Sequence, residues 1–395
     1  MFISTIITLA GLYLATVVLF ILGMQQKKKG TNTRQYRVSV VIAARNEQDN
    51  IGNILDDLCR QTYPAEKYSV FVVNDGSTDR TQEIIDSFTQ QHSNIRSLSV
   101  QHVPKGISPK KFALQQAIEQ SDSELVLSTD ADCRVPDTWI ETMVSYFTPE
   151  TGFVIGFSQY GAPHSKQNLV EDLQAFDFMQ MMGVAVGTCN LGLPMAASGQ
   201  NLGYRRDAFL QVGGYNRIAH RISGDDVLLL QLIHKYTDYK TVFATDEKCY
   251  AISKAQPTFD DFINQRIRWA SNGSYQVYLN LPFFIYLLLV YAFSLAIVAA
   301  WIAAAFSLLP VALPIAVLLL KFFTDGAITL KSAYFFHRRD LLKWFPLWFM
   351  VQLPYVVYVG FKGTFGNFKW KGRMHSADFK KTNPVYMTNE TGSTK

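Results

Sequence analysis

Hydrophobic and polar positions divide the sequence into apolar stretches near both ends and a long polar block between them. Residues 2–24 contain no charged side chain and are long enough to cross a bilayer as a helix, which takes about 20 residues. Lysines 27–29 follow soon after. A cleaved signal peptide is the alternative, but no basic segment precedes the run, which is longer than the roughly 7 to 15 apolar residues of such peptides. We therefore predict an uncleaved anchor at residues 1–24, with the lysines in the cytoplasm.

Two further apolar stretches lie nearer the C-terminal end. Residues 281–320 carry no charge, are too long for one crossing and contain Pro310 and Pro314, so two helices joined by a short turn are predicted. Residues 344–361 are also uncharged but contain two prolines and a glutamine. This segment can span, re-enter or lie on the membrane. A crossing here would place the basic tail, residues 362–395, outside the cell, so three and four spans both remain open.

The polar block at residues 30–280 alternates short apolar runs with segments of helical spacing. Three runs, at 37–43, 70–73 and 125–128, are rich in apolar residues and are typical of buried parallel strands. Apolar residues recur at helical spacing after the first run and again after the second. This β-α-β-α order predicts an α/β fold with a parallel sheet. The two predicted helices are marked by Ile51, Ile54, Leu55 and Leu58, and by Ile84, Ile85 and Phe88.

The amino-acid composition also indicates a membrane protein. Hydrophobic residues make up 48% of the chain and charged residues 17%, against roughly 25% charged in soluble domains. The 28 Phe, 19 Tyr and 6 Trp exclude a disordered chain. The four cysteines are too far apart to indicate a zinc site or a disulfide framework. Of the net charge of +5, residues 321–395 carry +8, from 12 basic and 4 acidic residues, so we expect contact with anionic lipid rather than nucleic acid.

Polar clusters follow all three predicted strands. They are RNE at 45–47, NDGS at 74–77 and TDADC at 129–133. Ligands of parallel sheets bind beyond the carboxyl ends of the strands, so these clusters should converge on one crevice. The alternative for any single cluster is an ordinary turn, for which Asp, Asn and Gly are well suited. Within the third cluster, Asp130 and Asp132 suit a hard cation that also binds a diphosphate.

Three later segments carry further candidate chemistry. Lys110 and Lys111 open a predicted helix and can offset phosphate charge. The SGDD segment at 223–226 brings two acids after a glycine, although Asp225 and Asp226 can also simply cap the next helix. In the QRIRW segment at 265–269, Arg268 can stabilise a departing phosphate and Trp269 can stack on a sugar. The alternative is an amphipathic helix on the membrane surface, with three residues toward lipid: Phe259, Phe262 and Ile263.

The order of these motifs resembles the membrane-integrated family-2 glycosyltransferases, a group that includes ceramide glucosyltransferase and the cellulose, hyaluronan and poly-N-acetylglucosamine synthases. The resemblance covers roughly residues 38–373. It implies an inverting enzyme with a GT-A, Rossmann-like nucleotide-sugar transferase domain and with N-terminal and C-terminal transmembrane helices. The division it implies is an anchor at 1–24, a cytoplasmic GT-A domain at 30–280, two or three transmembrane helices at 281–361 and a basic tail at 362–395.

The resemblance also implies roles for individual residues. The nucleotide-sugar pocket comprises Ala43, Asn46, Glu47, Asp75, Lys110 and Asp130. In it, Asp75 matches the acid that contacts uracil and Lys110 matches a lysine beside the diphosphate. Asp130 and Asp132 match the metal-binding pair. Asp226, next to Asp225, matches the general base. Gln265, Arg268 and Trp269 match the element that closes over diphosphate and acceptor. Arg266 stands where many relatives have Gln.

The implied reaction is a metal-dependent transfer of a sugar from a UDP-sugar, with Mg²⁺ or Mn²⁺, to a membrane lipid at the cytoplasmic face. The alternative is a processive synthase that elongates and exports a β-linked polysaccharide, so the acceptor is a lipid or a growing glycan. A membrane scaffold with a degenerate domain would lack some of the acids, yet all are present. We expect an integral protein of the cell inner membrane with a cytoplasmic catalytic domain. The sugar and the oligomeric state stay open.

Overall fold

The computed structural model describes residues 1–100, 102–370 and 373–376, so most of the predicted basic tail lies outside the described residues. The chain forms two compact units. The α/β unit comprises Lys28–Gln159 and Ala197–Lys254. The helical unit comprises Met1–Lys27, Tyr160–Ala196 and the described residues from Ala255 onward. The functional division predicted from the sequence stays a prediction.

Helices and strands alternate through the α/β unit, and long helices dominate the other. The helices are α1 (Phe2–Gly23), α2 (Ile51–Cys59), α3 (Thr81–Gln91), α4 (Pro109–Glu119), α5 (Trp139–Ser145), α6 (Leu169–Asn190), α7 (Arg206–Gln211), α8 (Val227–Tyr236), α9 (Phe259–Ala270), α10 (Gln276–Leu279), α11 (Leu281–Ala305), α12 (Ala312–Phe335) and α13 (Phe345–Phe365). The strands are β1 (Val38–Ala44), β2 (Tyr68–Asn74), β3 (Ile95–Ser99), β4 (Leu125–Ser128), β5 (Thr151–Gly156), β6 (Ser158–Tyr160), β7 (Leu202–Arg205), β8 (Lys240–Ala244), β9 (Ala251–Ser253), β10 (Asn367–Trp370) and β11 (Arg373–Ser376).

A seven-stranded sheet forms the centre of the described α/β unit, in the order β3-β2-β1-β4-β7-β5-β8. The first four of these strands run parallel to one another. The three predicted strands correspond to β1, β2 and β4, and the two predicted helices to α2 and α3, so the α/β prediction is confirmed. The sequence did not indicate β7, which runs antiparallel to both of its neighbours. The sheet is therefore mixed rather than wholly parallel.

Burial on both faces explains the apolar composition of the central strands. Every residue of β1 except Ala43 is buried, and β4 and β5 are buried throughout. Val40 and Ile42 of β1 belong to the same core cluster as Ile51 and Ile54 of α2. Each such side chain contributes about 1.5–3 kcal/mol when fully buried. This core fixes the carboxyl ends of β2, β1 and β4 side by side along one edge of the sheet.

In the described part of the chain, four helical segments are long and apolar enough to cross a membrane. They are α1, α11, α12 and Arg339–Phe365, which consists of a short 3₁₀ helix followed by α13. The predicted break near Pro310 is confirmed, because α11 ends at Ala305 and α12 begins at Ala312. The second of these two helices continues to Phe335, well past the uncharged stretch from which it was predicted. Charged residues can continue an apolar helix when they are paired inside the protein.

A polar cluster of this kind joins three helices of the helical unit. Lys321 and Asp325, one turn apart on α12, form a buried ion pair. The Tyr13 hydroxyl on α1 donates a hydrogen bond to Oδ1 of Asp325 (2.6 Å). Lys321 Nζ donates to Oε1 of Gln352 on α13 (2.8 Å). The pair is therefore neutral as a whole and bonded to side chains from two other helices.

Helices α1 and α6 approach so closely that their backbones touch. A Cβ atom placed on Gly23 would lie 2.2 Å from the carbonyl oxygen of Gly187, and one on Gly187 would lie 2.4 Å from that of Phe20. Glycine is thus required at both positions, because only small residues let two helix backbones approach so closely. Helix α6 begins with a capping box formed by Asn168 and Glu171, which satisfies the first backbone donors of the helix.

Candidate active site

The loops that follow β1 and β2 hold each other through side-chain hydrogen bonds. Asn46 adopts a left-handed backbone conformation with φ of 53°, which asparagine tolerates better than most residues. Its Oδ1 accepts a hydrogen bond from the backbone N–H of Thr78 (2.8 Å), and its own N–H donates to Oγ of Ser77 (3.0 Å). The N–H of Glu47 donates to Oγ1 of Thr81 (2.8 Å). The two loops therefore form one ordered rim at the edge of the sheet.

Asp75 lies on this rim directly after β2. It is buried, and its N–H donates to the carbonyl of Ala44 (2.9 Å), which extends the pairing of the two strands. Its carboxylate Oδ2 lies 3.8 Å from Nη1 of Arg45. Ala43, the penultimate residue of β1, is half-buried near the same edge. Four of the residues predicted for the nucleotide, Ala43, Asn46, Glu47 and Asp75, thus lie along one edge of the sheet. Their role in binding stays a prediction.

Asp130 and Asp132 follow β4, the strand on the other side of β1. The preceding Thr129 donates its hydroxyl to the carbonyl of Gln200 (2.9 Å), which fixes the end of the strand. Burial raises the pKa of Asp132 to about 7, and the negative charges of Asp130 and Glu47 add to the effect. The two acids therefore belong to a carboxylate cluster whose mutual repulsion a cation would relieve.

Lys110 on the first turn of α4 links this cluster to the SGDD segment. Its Nζ lies 2.8 Å from Oδ1 of Asp130 and 2.8 Å from Oδ2 of Asp225. Burial alone would lower the pKa of the lysine, but the two carboxylates hold it above its usual value. The ammonium group thus remains charged, and it joins two acids that are far apart in the sequence.

Lys111, which the sequence grouped with Lys110 as a phosphate-neutralising charge, has a different position. Its side chain is only 1% exposed, and Nζ donates to the carbonyl of Arg221 and to that of Ser223 (2.8 Å). Burial lowers its pKa to about 7. Lys111 therefore tethers the loop that precedes Asp225, and the prediction that it serves a phosphate is wrong.

Asp226 caps helix α8 and also faces a second loop. Its Oδ1 accepts a hydrogen bond from the N–H of Val227 (2.6 Å), and its Oδ2 accepts one from Gly199 (3.0 Å). A Cβ on Gly199 would lie 3.4 Å from Oδ2 of Asp225 and 3.5 Å from Nζ of Lys110. The capping alternative is therefore confirmed for Asp226 but not for Asp225, which pairs with Lys110. The carboxylate of Asp226 also lies beside this acid–lysine cluster.

The two neighbouring carboxylates differ in their electrostatics. Burial raises the pKa of Asp226, and the charge of Asp225 raises it further. Burial would also raise the pKa of Asp225, but Lys110 and Lys111 bring it below its usual value. Asp225 is thus the firmly ionised member, and Asp226 holds a proton more tightly. Such a separation is typical of acid–base pairs.

The donor set after β4 suits a hard divalent ion. Within residues 1–100, 102–370 and 373–376, no group of three or more His, Cys, Asp or Glu side chains is arranged to hold a metal ion. Mg²⁺ often needs only one or two carboxylates, because substrate phosphates and water complete its shell. Asp130 and Asp132 provide two, and burial together with the nearby charges of Asp130 and Glu47 raises the pKa of Asp132. Metal binding by this pair stays a prediction.

Gln265, Arg268 and Trp269 lie on α9 in the helical unit and are half-buried. The Arg268 guanidinium lies 5.8 Å from the ring centre of Trp370. Trp269 contacts Phe178 of α6, with ring centres 6.0 Å apart.

Helix α9 is amphipathic, but not all of its aromatic residues face outward as one alternative predicted. Phe259 is 60% exposed. Phe262 is buried and stacks on Tyr355 of α13, with ring centres 5.8 Å apart. The prediction that Phe262 faces lipid is therefore wrong, because it packs against another helix.

Two residues near the predicted motifs were not predicted from the sequence. Gly199 donates its backbone N–H to Oδ2 of Asp226 (3.0 Å). Asp177 on α6 is buried and accepts a hydrogen bond from Nε of Arg266 (2.8 Å). Neither contact has a local signal in the sequence, because Gly199 and Asp226 are 27 residues apart and Asp177 and Arg266 are 89 residues apart.

Comparison with known proteins gives consistent results. The family model described as Glycosyl transferase family 2 matches residues 39–212. The chain is 30% identical over 244 residues to glycosyltransferase AglE of Haloferax volcanii, which covers 61% of this chain and 74% of that protein. It is 28% identical over 257 residues to beta-monoglucosyldiacylglycerol synthase of Synechocystis sp., with 62% and 49% covered. It is 25% identical over 239 residues to poly-beta-1,6-N-acetyl-D-glucosamine synthase of Staphylococcus epidermidis, with 60% and 54% covered.

Among solved structures, the chain is similar to the mannosyltransferase PcManGT from Pyrobaculum calidifontis, solved in complex with GDP-Man and Mn²⁺. The TM-score is 0.59 at 18% identity, and the match covers 92% of this chain and 99% of that one. At this identity the similarity establishes the fold alone. The matches span about half the length of the two synthases.

Proposed function

Because the chain belongs to glycosyltransferase family 2, we propose that it transfers a sugar, with inversion, from a UDP-sugar to a membrane lipid at the cytoplasmic face of the cell inner membrane. One observation carries the proposal: Lys110 joins Asp130 and Asp225 at 2.8 Å each, next to Asp226. In this proposal residues 1–24 anchor the chain, 30–280 form the catalytic domain, 281–361 form the C-terminal membrane helices and 362–395 form a basic tail.

The donor pocket in this proposal lies along the rim after β1 and β2. Asp75 contacts the uracil, and Ala43, Asn46 and Glu47 line the nucleotide. The rigid hydrogen bonds between the two loops support this role, because a preformed pocket loses little entropy when a ligand binds. When the donor is bound, the ammonium group of Lys110 would also interact with the diphosphate, in addition to Asp130 and Asp225.

Asp130 and Asp132 would hold the divalent ion, Mg²⁺ or Mn²⁺. When bound, such an ion neutralises charge on the departing nucleoside diphosphate. The contribution of the protein is the carboxylate pair itself, held at the end of β4 by Thr129 and Gln200. The presence of GDP-Man and Mn²⁺ in the mannosyltransferase of similar fold is compatible with this assignment.

Asp226 is the proposed general base. An acceptor hydroxyl becomes a good nucleophile only when its proton is taken, and a positioned base contributes roughly 100- to 10,000-fold. A carboxylate with a raised pKa accepts that proton more readily than an ordinary one, and burial beside Asp225 raises the pKa of Asp226. Lys110 keeps Asp225 ionised, so Asp225 sustains the basicity of its neighbour.

Gln265, Arg268 and Trp269 are proposed to close over the diphosphate and the acceptor. Arg268 would stabilise the departing phosphate, and Trp269 would stack on the sugar or the acceptor. Support comes from their amphipathic helix and from the half-buried state of all three side chains, which leaves each a surface for a ligand.

A lipid acceptor is favoured by four helices long and apolar enough to span, among the described residues, and by the similarity to a glucosyldiacylglycerol synthase. A second candidate is a processive polysaccharide synthase that exports its product. The similarity to a poly-N-acetylglucosamine synthase favours that activity.

The test is product analysis on membranes that contain the full chain. Membranes are incubated with labelled UDP-glucose, UDP-galactose or UDP-N-acetylglucosamine and Mn²⁺, and the products are identified by mass spectrometry. The expected result is one new glycolipid carrying a single sugar. A ladder of oligosaccharides would favour the synthase. No product above that of membranes carrying Asp226→Asn, with any donor, would contradict the proposed function.

A further inference from the structure

Arg266, the second residue of the QRIRW segment, is buried in an ion pair with a residue outside every recognised motif. Its Nε donates to Oδ2 of Asp177 on α6 at 2.8 Å, and the two side chains are only 3% and 10% exposed. Tyr355 on α13 interacts with both charged groups. The pair thus connects α9 to two other helices of the same unit.

The guanidinium of Arg266 also contacts both ends of its own motif. Nη1 donates to Oε1 of Gln265 (2.9 Å). The guanidinium carbon lies 4.2 Å from the ring centre of Trp269 and 4.8 Å from that of Phe262. A cation at this distance from an indole face is attracted to it and restricts the orientation of the ring. Arg266 therefore holds Gln265 through a hydrogen bond and Trp269 through stacking.

Stability alone does not favour this arrangement. Replacing a buried ion pair by apolar residues of similar volume is often neutral or stabilising by about 1–4 kcal/mol. In addition, Nη2 of Arg266 is buried and has no hydrogen-bond partner among the described residues. An unsatisfied buried donor costs about 1–3 kcal/mol. An apolar pair would fill the same space at lower cost, but it would give Gln265 and Trp269 nothing to orient them.

We propose that Arg266 and Asp177 are positioning residues that set the orientation of Gln265 and Trp269 for sugar transfer. Asp177 acts through Arg266, and Arg266 acts through the two motif residues it touches. The inference rests on the proposed function, in which Gln265 and Trp269 contact the diphosphate and acceptor. It explains why an arginine at this position of the motif is accompanied by a buried aspartate on α6.

The decisive variant replaces the pair by apolar residues, Asp177→Leu with Arg266→Met. We expect its unfolding temperature in detergent to equal or exceed that of the wild type. We expect kcat to fall by about 10- to 100-fold and acceptor KM to rise, while donor KM changes little, because misplacing a reacting group by 1 Å can cost about 100-fold. The matched control removes a different buried ion pair of the unit, Lys321→Met with Asp325→Leu, and should keep kcat within about twofold of the wild type.

Wild-type kcat and KM values in a folded Asp177→Leu, Arg266→Met protein would overturn the inference. If that protein does not fold, Arg266→Lys decides, since lysine keeps the charge but loses the planar fork that serves Asp177, Gln265 and Trp269 together. A folded Arg266→Lys protein with reduced kcat supports the inference, and one with full activity overturns it.

A measurement without substrate separates this inference from the proposed function. Acrylamide quenching of Trp269, obtained as the difference between each protein and the same protein carrying Trp269→Phe, should increase when Arg266 is changed. Unchanged quenching would overturn the inference even if the wild type transfers sugar. A wild type that transfers no sugar while quenching increases would instead contradict only the proposed function.

Discussion

The ammonium nitrogen of Lys110 lies 2.8 Å from Oδ2 of Asp225, and this contact joins the first turn of α4 to the loop before α8. The contact makes the two acids of the SGDD segment electrostatically different. Asp225 is stabilised in its ionised form, and its charge raises the pKa of Asp226 next to it. Lys110 therefore acts on Asp226 in two opposite ways: its own charge lowers the pKa of Asp226, and the ionised Asp225 that it stabilises raises it.

Asp226→Asn should keep UDP binding but reduce kcat by about 100-fold or more, because the amide cannot take the acceptor proton. The amide oxygen can still accept the hydrogen bond from Val227 that Oδ1 accepts in the wild type, so the cap of α8 should be kept, but the amide nitrogen that replaces Oδ2 cannot accept the one from Gly199. Turnover with the active UDP-sugar and calorimetry with UDP measure the two effects. Near-normal turnover would remove Asp226 as the base.

Asp132→Ala should abolish the metal-dependent part of UDP binding, since one of two carboxylates that would hold the ion is lost. Calorimetry with UDP, with and without Mn²⁺, measures this. Asp137→Ala is a matched control, because Asp137 lies just beyond the same loop with a side chain that is 56% exposed. Equal Mn²⁺ dependence in the wild type and in Asp132→Ala would count against the metal assignment.

Trp269→Ala should raise acceptor KM and lower kcat more than it weakens donor binding, because the indole is assigned to the acceptor side of the site. Removal of the indole removes the ring on which the sugar or the acceptor would stack. Initial rates over a range of acceptor concentrations measure the effect. Trp301→Ala, an exposed tryptophan on α11, is the control. A larger loss of UDP affinity than of acceptor use would contradict the stacking role.

Lys111 should make stability depend on pH. Its pKa is about 7 in the folded chain, against about 10.4 for an unperturbed lysine. Between these values the unfolded chain binds more protons, so stability should rise with pH from about 7 toward 10, by at most roughly 1.4 kcal/mol per pH unit. Unfolding of the wild type and of Lys111→Met is compared at pH 7, 8 and 9.

The difference in stability between the two proteins should change with pH in that range, in favour of the wild type as pH rises. Lys105→Met, which changes an exposed lysine, should follow the wild type at each pH. Parallel curves for the wild type and Lys111→Met would show that Lys111 is not desolvated as its burial implies.

Asp325→Ala should destabilise the helical unit by about 3–5 kcal/mol, because it leaves Lys321 buried without its ion-pair partner. The combined change Lys321→Met with Asp325→Leu should cost less than Asp325→Ala, since it removes both charges and takes away only the hydrogen bonds of Tyr13 and Gln352 to the pair. Thermal unfolding in one detergent measures both. Equal midpoints for Asp325→Ala and the wild type would contradict the burial of the pair.

Part of this fold could be predicted from local patterns in the sequence. Strands β1, β2 and β4 and helices α2 and α3 were predictable because apolar spacing is set by the local period of each element. The strand ends were marked by Asn, Asp and Gly, and they carry Asn46, Asp75 and Asp130 as expected. Turn chemistry and catalytic chemistry use the same residue types, which is why the sequence could locate these clusters without assigning each residue.

What the sequence could not supply depends on contacts between distant segments. Lys111 and Lys110 are adjacent and chemically identical, yet one binds backbone carbonyls and the other binds carboxylates. The pairing of Arg266 with Asp177 has no local signature. The second half of α12 was not predicted, because Lys321 and Asp325 end the uncharged stretch in the sequence. Only the tertiary structure shows that these two charges form an ion pair.

The bond from Tyr13 to Asp325 has a consequence for how the protein is made. The carboxylate that accepts the hydrogen bond is translated 312 residues after the tyrosine that donates it. Until α12 has been synthesised, the phenol of Tyr13 therefore lacks this partner. The contact between α1 and α12 thus forms at a late stage, after synthesis of the segments that separate the two helices.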